Sequence, residues 1–357
     1  MIGWYGAADP ALAGCVPSTK YFSWVFLIVW MMDKAKSAIF PNMPAAFPDH
    51  LRLNRANGKA PHKPILLLAI LKAFDEGLFS DDRIEPSAEL VNLFNGYWDT
   101  LVPGSSFRRR FFLPFYHLKN ERSGLWKLHT LPGFEHAITR SNSIKSLGAL
   151  IAFDAWGELR ADVLIRWSVP EHRAADRLLL MVMYFPGQQM PDRLHDQLRE
   201  IERQIEYDTP EAYVARQLKL LQEDEEEEQV LRGAAFKRKI PELYGYRCAV
   251  TGLCIEHHQR VRMIDACHIV PWADSFDDTI TNGIALCPNM HRAFDRGLIS
   301  ISAAHTLLVS PELRENDSAY GIKPFAGKQL LLPNDRKHWP ASENLKQHRK
   351  RFRFELS

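Results

Sequence analysis

A segment in the last third of the chain constrains the fold more than any other. It predicts a strand that carries His268, a loop, a second short strand over 284–286, and a helix that begins near Pro288. Residues four apart lie on one face of a helix, so His291 and Asp295 can reach one cation together. The segment therefore predicts a ββα unit with one histidine on a strand and a His–Asp pair on the helix.

The residue types in this unit suit the hydrolysis of a phosphodiester. An imidazole can deprotonate water near neutral pH, which makes His268 the candidate general base. A divalent cation held by His291 and Asp295 can neutralise the negative charge that gathers on the phosphate and on the leaving 3′ oxygen. Asn282 has no titratable group, and its amide can bond across the loop. The predicted catalytic residues are thus His268, Asn282 and His291, with Asn282 in an orienting role.

The same segment resembles the HNH (His-Asn-His) nuclease motif, in the form common to modification-dependent restriction endonucleases of the McrA-like type. His268, Asn282 and His291 match the three letters, and the likeness extends over about 231–309. It implies an endonuclease in which His268 is the general base, Asn282 orients the loop, and His291 with Asp295 binds one metal ion. It also implies double-stranded DNA as the substrate and Mg²⁺ or Mn²⁺ as the cofactor.

Two departures from the HNH pattern bear on metal binding. Many HNH domains hold a structural zinc with two CxxC pairs, whereas Thr251 and Met290 replace the second cysteine of each pair here. Two thiolates fall short of four ligands, so structural zinc is not expected. Cys267 stands where many HNH enzymes have a metal-binding residue, and a thiolate is a poor ligand for Mg²⁺ or Mn²⁺. Asp265 is the candidate replacement, although strand alternation places it with Cys267 and across from His268.

A second group of candidate residues lies in the first half of the chain, where arginines alternate with aromatic residues. The fragments 61–64, 107–110, 113–118, 124–126 and 177–187 resemble the sulfur-binding domain of restriction enzymes that recognise phosphorothioate DNA. Sulfur is larger and less strongly hydrated than the oxygen it replaces, so an apolar cup can select it while cations hold the flanking phosphates. The residues predicted to bind DNA and sulfur are His62, Lys63, Arg108, Arg109, Arg110, Pro114, Phe115, Tyr116 and His117.

The length and composition indicate more than one domain. A chain of 357 residues with 46% hydrophobic and 25% charged residues is long enough to build two cores. We divide it into an N-terminal extension (1–45), a DNA-recognition domain (46–190), an acidic helical linker (191–230) and a nuclease domain (231–357). The predicted fold class is α+β. The first domain is predicted to contain helices over 61–74, 87–100 and 141–185 and a strand near 124–128.

The linker is predicted to be an exposed helix, because its apolar residues are sparse. It contains an acidic run at 223–228. We expect this run to form a solvated helix face. The alternative is electrostatic, since six acids cannot lie against DNA and the run must then point away from DNA or compete with it.

The remaining features concern the cellular compartment. Five cysteines do not make the dense disulfide framework of a secreted domain, so a reducing cytoplasm is expected. The most apolar stretch, 21–32, is shorter than the ~20 residues that span a bilayer, and it lacks the flanks of a signal peptide. We expect no membrane segment. Two interpretations of 1–45 stay open: a buried helix or strand, or a start site placed too far upstream of Met43.

These observations favour a cytoplasmic, modification-dependent (type IV) restriction endonuclease that reads phosphorothioate linkages and cuts nearby. A single ββα site cuts one strand, so a double-strand break requires two sites and a homodimer is expected. Two alternatives stay open. The first domain can read another mark, such as a methylated base, or plain sequence. The chain can also be a DNA-binding protein whose nuclease motif has decayed, for which Cys267 and the lost cysteines are the argument.

Overall fold

The computed structural model describes residues 51–54, 59–79, 82–139, 144–222, 226–255, 263–316, 318 and 320–354. The expectations for the extension and for the first three acids of the acidic run lie outside these ranges. In the described part of the chain, no helix has both the length and the apolar character needed to cross a membrane.

Two helices form the centre of the first half. Helix α1 (His62–Asp75) is buried along most of its length, and it packs against α2 (Ala88–Leu101). The hydroxyl of Ser87 accepts a hydrogen bond from the amide of Leu90 and so caps the start of α2. These helices confirm the predictions over 61–74 and 87–100. The helices α3 (Phe112–His117) and, later in the chain, α6 (Pro170–Tyr184) also contact α1.

A small antiparallel sheet lies beside these helices. Its strands β1 (Arg83–Ile84), β2 (Trp126–His129) and β3 (Trp156–Leu159) stand in the order β1-β3-β2. The Trp126 ring covers Gly157 so closely that a Cβ atom there would lie 1.8 Å from the ring. The prediction that 141–185 is helical is wrong at 156–159, because these residues form β3 of this sheet. That segment instead forms α4 (Leu147–Ala152), β3, α5 (Ala161–Trp167) and α6.

The predicted linker is not an exposed helix. It forms α7 (Gln197–Tyr207), α8 (Pro210–Gln222) and α9 (Glu226–Leu243). Helix α7 buries an apolar stripe of Leu198, Ile201 and Ile205, and α9 packs against α2, α4 and α7. Sparse apolar residues suffice here because their helical spacing gathers them on one face. Residues 48–357 cluster into one compact unit, so the boundaries at 190 and 230 stay predictions.

The described acids of the acidic run do not form a solvated face. Glu226 accepts hydrogen bonds from the amides of Gly148 at 2.7 Å and Leu147 at 3.0 Å, at the start of α4. Glu227 is buried and accepts a hydrogen bond from the amide of Phe111, just before α3. Carboxylates suit helix starts because the amides there lack partners within the helix. These acids therefore connect α9 to the first half of the chain by hydrogen bonds.

The last third contains the predicted ββα unit. Strands β4 (Asp265–His268) and β5 (Gly283–Leu286) pair antiparallel, with His268 opposite Gly283. A short helix α10 (Trp272–Ser275) lies in the loop, and α11 (Pro288–Asp295) follows β5. The unit and the α+β fold class are confirmed. The hairpin β6 (Ile299–Ile301) and β7 (Leu307–Val309) and the helix α12 (Ser342–Arg351) complete the region.

Candidate functional site

His268 lies at the end of β4, on the side that faces α9. Its ring stacks on the ring of Phe236, with 3.9 Å between centroids and 6° between planes. Its Nε2 atom lies 2.9 Å from Oδ1 of the buried Asp278. Within the described residues, no protein group hydrogen-bonds to its Nδ1 atom. The arrangement holds the ring on two sides and leaves Nδ1 available.

Asn282 is fully buried between the two strands. Its Oδ1 atom accepts a hydrogen bond from the amide of Val270 at 2.9 Å. Its Nδ2 atom donates to the carbonyl oxygens of Val270 at 3.0 Å and Asp277 at 2.9 Å. The side chain thus ties both ends of the loop that follows His268. The geometry suits the predicted orienting role.

The candidate metal ligands on α11 lie on the opposite face of β4 from Phe236. Oδ2 of Asp295 is 3.4 Å from Nε2 of His291, and Oδ2 of Asp265 is 3.1 Å from its Nδ1. The Cys267 sulfur lies 3.6 Å from Oδ1 of Asp295. The ligand atoms of Cys267, His291 and Asp295 all lie within 4.8 Å of one another. The structure therefore brings the predicted pair together and adds Cys267 beside it.

The chemistry of these donors favours a hard divalent cation held by His291 and Asp295. Burial, with the nearby carboxylates, raises the pKa of the Cys267 thiol well above its usual value, so the thiol stays protonated and faces Asp295. A neutral thiol is a poor ligand for Mg²⁺ or Mn²⁺, which prefer oxygen and retain several waters. Asp265 contacts the ring nitrogen turned away from Asp295. This is the position of a carboxylate that orients a histidine ligand rather than a ligand itself.

One cleft joins the two faces of the unit. A cavity of about 340 Å³ is lined by His268, His291 and Asp295, together with Arg351 of α12. Arg351 pairs with Asp274 at the rim. The sequence interpretation did not assign Arg351 to the site, although basic residues are concentrated around it at 346–353. The cleft is thus lined by the candidate base, the candidate metal ligands and one positively charged side chain, that of Arg351.

A larger cavity lies in the first half of the chain and has a volume of about 1410 Å³. It gathers seven of the nine residues predicted to bind DNA and sulfur, from α1, α3 and the loop before α3. Six Arg and Lys side chains line it against one carboxylate, with apolar surface from Leu113 and Pro114 between them. The seven are His62, Lys63, Arg108, Arg110, Pro114, Tyr116 and His117.

Two of the nine predicted residues do not line this cavity. Phe115 is fully buried and meets Trp126 edge to face, because it lies on the core side of the short helix α3. The guanidinium of Arg109 lies 3.0 Å from Asp99 on α2. The alternation of arginines and aromatic residues did not show which side chains turn inward.

Buried contacts shape the cavity wall. The buried Glu121 carboxylate pairs with Lys63 and accepts a hydrogen bond from the amide of Arg52 at 3.1 Å. Burial lowers the pKa of His62, and burial with the charges of Lys63 and Lys119 lowers the pKa of His117. Both histidines are therefore neutral at neutral pH. The positive charge of the wall comes from its Arg and Lys side chains.

Three further residues near the base were missed by the sequence interpretation. Asp278 and Phe236 contact His268 directly, and Tyr213 of α8 donates a hydrogen bond to Asp278 at 3.2 Å. Asp278 stands within the loop of the motif, but its type alone did not distinguish it from Asp277. Tyr213 lies outside the segment that resembles the HNH motif, and Phe236 lies near its start, 32 residues before His268, so no local pattern could link them to His268.

Comparison with known proteins finds a family match within the last third of the chain. Residues 248–302 match the family model described as HNH endonuclease, so the chain contains an HNH endonuclease domain. A solved structure of a modification dependent TagI restriction endonuclease is 20% identical, with a TM-score of 0.26, and the match covers 33% of this chain. The match spans 37% of that protein. No curated protein sequence matches this chain.

Proposed function

We propose that this protein is a modification-dependent (type IV) restriction endonuclease that cuts DNA with a one-metal HNH site. The observation that carries the proposal is the cleft in which His268, His291 and Asp295 meet, inside the segment that matches the HNH endonuclease family. The proposed setting is the cytoplasm, and the proposed substrate is foreign double-stranded DNA.

In this mechanism each side chain has one task. Nδ1 of His268 takes the proton of the attacking water, because Nε2 is engaged with Asp278. Asn282 holds the loop so that the ring keeps its place. When bound by His291 and Asp295, Mg²⁺ or Mn²⁺ supplies Lewis-acid stabilisation of the charge on the phosphate and the leaving oxygen. Arg351 adds a second positive charge at the rim.

We propose further that the large cavity reads a phosphorothioate linkage. Its lining supports this, because apolar surface from Pro114 and Leu113 lies among cations such as Arg108. A weakly hydrated sulfur atom loses less on entering such a surface than an oxygen does. The surrounding cations suit the flanking phosphates.

Cleavage of one duplex with and without a stereodefined phosphorothioate tests both proposals, in Mg²⁺ and in Mn²⁺. We expect cutting of the modified duplex alone, lost in His268→Ala. Equal cutting of both duplexes would contradict the sulfur-reading proposal and favour a reader of another mark or of plain sequence. Tight binding of the modified duplex without cutting would favour a DNA-binding protein with a decayed site.

Two neighbouring arginines provide a matched test of the cavity. Arg108 is exposed and lines the cavity, whereas Arg109 pairs with Asp99 outside it. We expect Arg108→Ala to weaken binding of the modified duplex by about 10-fold and to lower its salt dependence. Arg109→Ala should bind within about threefold of the wild type. The opposite order of effects would exclude this cavity as the DNA site.

We propose a homodimer on DNA, because one HNH site cuts one strand. Sedimentation of the protein with a modified duplex should show two protein chains for each bound duplex. Double-strand cutting by a strictly monomeric complex would contradict this.

A further inference from the structure

The candidate base stands at the end of a chain of buried hydrogen bonds. Nε2 of His268 lies 2.9 Å from Oδ1 of Asp278, and the Tyr213 hydroxyl lies 3.2 Å from Oδ2 of the same carboxylate. The Tyr213 oxygen lies 3.0 Å from Nε2 of Gln217. Asp278, Tyr213 and Gln217 are all buried. The chain thus runs from the cleft into helix α8.

The chemistry of these groups fixes the position of every proton. An ionised carboxylate only accepts hydrogen bonds, so His268 and Tyr213 both donate to Asp278. The single hydroxyl proton of Tyr213 is then engaged in the hydrogen bond to Asp278. Gln217 must therefore donate to the Tyr213 oxygen, which agrees with the orientation of its amide. A neutral imidazole carries one ring proton, so a proton on Nε2 leaves Nδ1 bare.

We infer that Asp278 and Tyr213 are positioning residues that fix the Nε2–H tautomer of His268. They keep Nδ1 as the nitrogen that takes the proton from water, and Phe236 holds the plane of the ring by stacking. The inference rests on the proposed function, in which His268 is the base. Because Asp278 and Tyr213 act through His268, their effect must be visible in the state of its ring.

The tautomer can be measured in the wild-type protein without metal or DNA. Ring ¹⁵N chemical shifts of histidine, recorded at mildly alkaline pH, distinguish a proton on Nε2 from one on Nδ1. The His268 signals are assigned by their absence in His268→Gln. We expect the Nε2–H form. An Nδ1–H form in the wild-type protein would overturn the inference, whatever the variants do.

Asp278→Asn is the first variant. The amide offers one acceptor and one donor, and Tyr213 still has to donate its proton. The amide oxygen therefore turns to Tyr213 and the NH₂ group turns to His268. Nε2 must then accept, and the ring proton moves to Nδ1. We expect the ¹⁵N shifts to show this exchange and kcat to fall by about 100-fold or more, with DNA affinity unchanged.

Tyr213→Phe in the Asp278→Asn background is the second variant. Without the Tyr213 hydroxyl, the amide oxygen introduced at position 278 no longer accepts a hydrogen bond from it. The amide can therefore turn, and its oxygen can accept a hydrogen bond from Nε2 of His268 again. We expect the Nε2–H form to return and kcat to recover by about 10-fold, although the double variant has lost more hydrogen bonds. A merely structural role for the network predicts the reverse, a double variant worse than the single one, and that result would overturn the inference.

Asp277→Asn is the matched control. Its carboxylate accepts a hydrogen bond from the amide of Thr279 at 2.8 Å and does not bond to His268, so the Nε2–H form should persist. His268→Gln distinguishes failure of the proposed function, in which His268 is the base, from failure of the inference about Asp278. If that variant cleaves DNA at the wild-type rate, the proposed base is wrong, while the tautomer measurement still decides the inference about Asp278.

Discussion

Asn282 stabilises the loop that follows His268 through both polar atoms of its side chain. Replacement by alanine leaves the amide of Val270 and the buried carbonyl of Asp277 without these partners. We expect Asn282→Ala to lower the free energy of unfolding by about 2–4 kcal/mol, measured by urea denaturation. Asn289→Ala is the control, because Asn289 is exposed on α11 and should change stability by no more than about 0.5 kcal/mol. Equal effects would show that the bonds of Asn282 matter little.

His348 couples the stability of the nuclease region to pH. It is buried on α12 against Phe294, and burial lowers its pKa to about 4 from the ordinary value of 6.5. The unfolded chain therefore binds a proton between these pH values that the folded chain does not. The stabilisation is complete above about pH 6.5 and is lost as pH falls toward 4, by at most about 3 kcal/mol.

The test compares pH profiles of unfolding free energy. His348→Gln should remove this part of the decline between about pH 6.5 and 4. His195→Gln serves as the control, because His195 is exposed and its loss should leave the profile unchanged. If the free energy of unfolding of His348→Gln falls as steeply with pH as that of the wild type, the assignment to His348 is wrong.

At the scale of elements, the contact between α9 and β5 sets the position of His268, the candidate base. A Cβ atom on Gly283 would lie 2.3 Å from Ile240 and 3.0 Å from Phe236, both on α9. We expect Gly283→Ala to push α9 away from the strand, to cost about 1–3 kcal/mol of stability, and to slow cleavage because Phe236 stacks on His268. Thermal unfolding and single-turnover cleavage measure both effects.

Gly233 provides the control on the same helix. A Cβ atom there meets nothing within 4 Å, so Gly233→Ala removes only backbone freedom. It should raise the free energy of unfolding by about 0.5–1 kcal/mol and leave cleavage unchanged. If both alanine variants behave alike, the close approach at Gly283 is not what holds α9.

At the scale of the whole molecule, we expect DNA binding to persist when DNA cleavage is abolished. The large cavity is lined by residues between 52 and 139, and the metal candidates lie at 291 and 295, so the two sites share no side chain. Chelation with EDTA should abolish cleavage and leave the affinity for a phosphorothioate duplex within about twofold. Fluorescence anisotropy and a cleavage assay on one sample measure this. A parallel loss of binding would show that the duplex is held mainly at the nuclease site.

The sequence by itself determined the ββα unit and its face assignments. Strand alternation placed Asp265 and Cys267 opposite His268, and helical spacing placed His291 with Asp295. It also determined the two central helices, predicted over 61–74 and 87–100, because the signals that start and stop a helix are local. These predictions succeeded because the backbone geometry of a strand or helix decides which near neighbours share a face.

The tertiary structure alone decided the contacts between distant segments. It placed Tyr213 next to Asp278, turned Phe115 into the core, and directed Glu227 to the amide of Phe111. It also placed 156–159, within the segment predicted to be helical, in a sheet. None of this follows from spacing, because the partner of a buried polar or aromatic group depends on how remote elements pack. The free energy of that packing is shared among side chains that no local pattern connects.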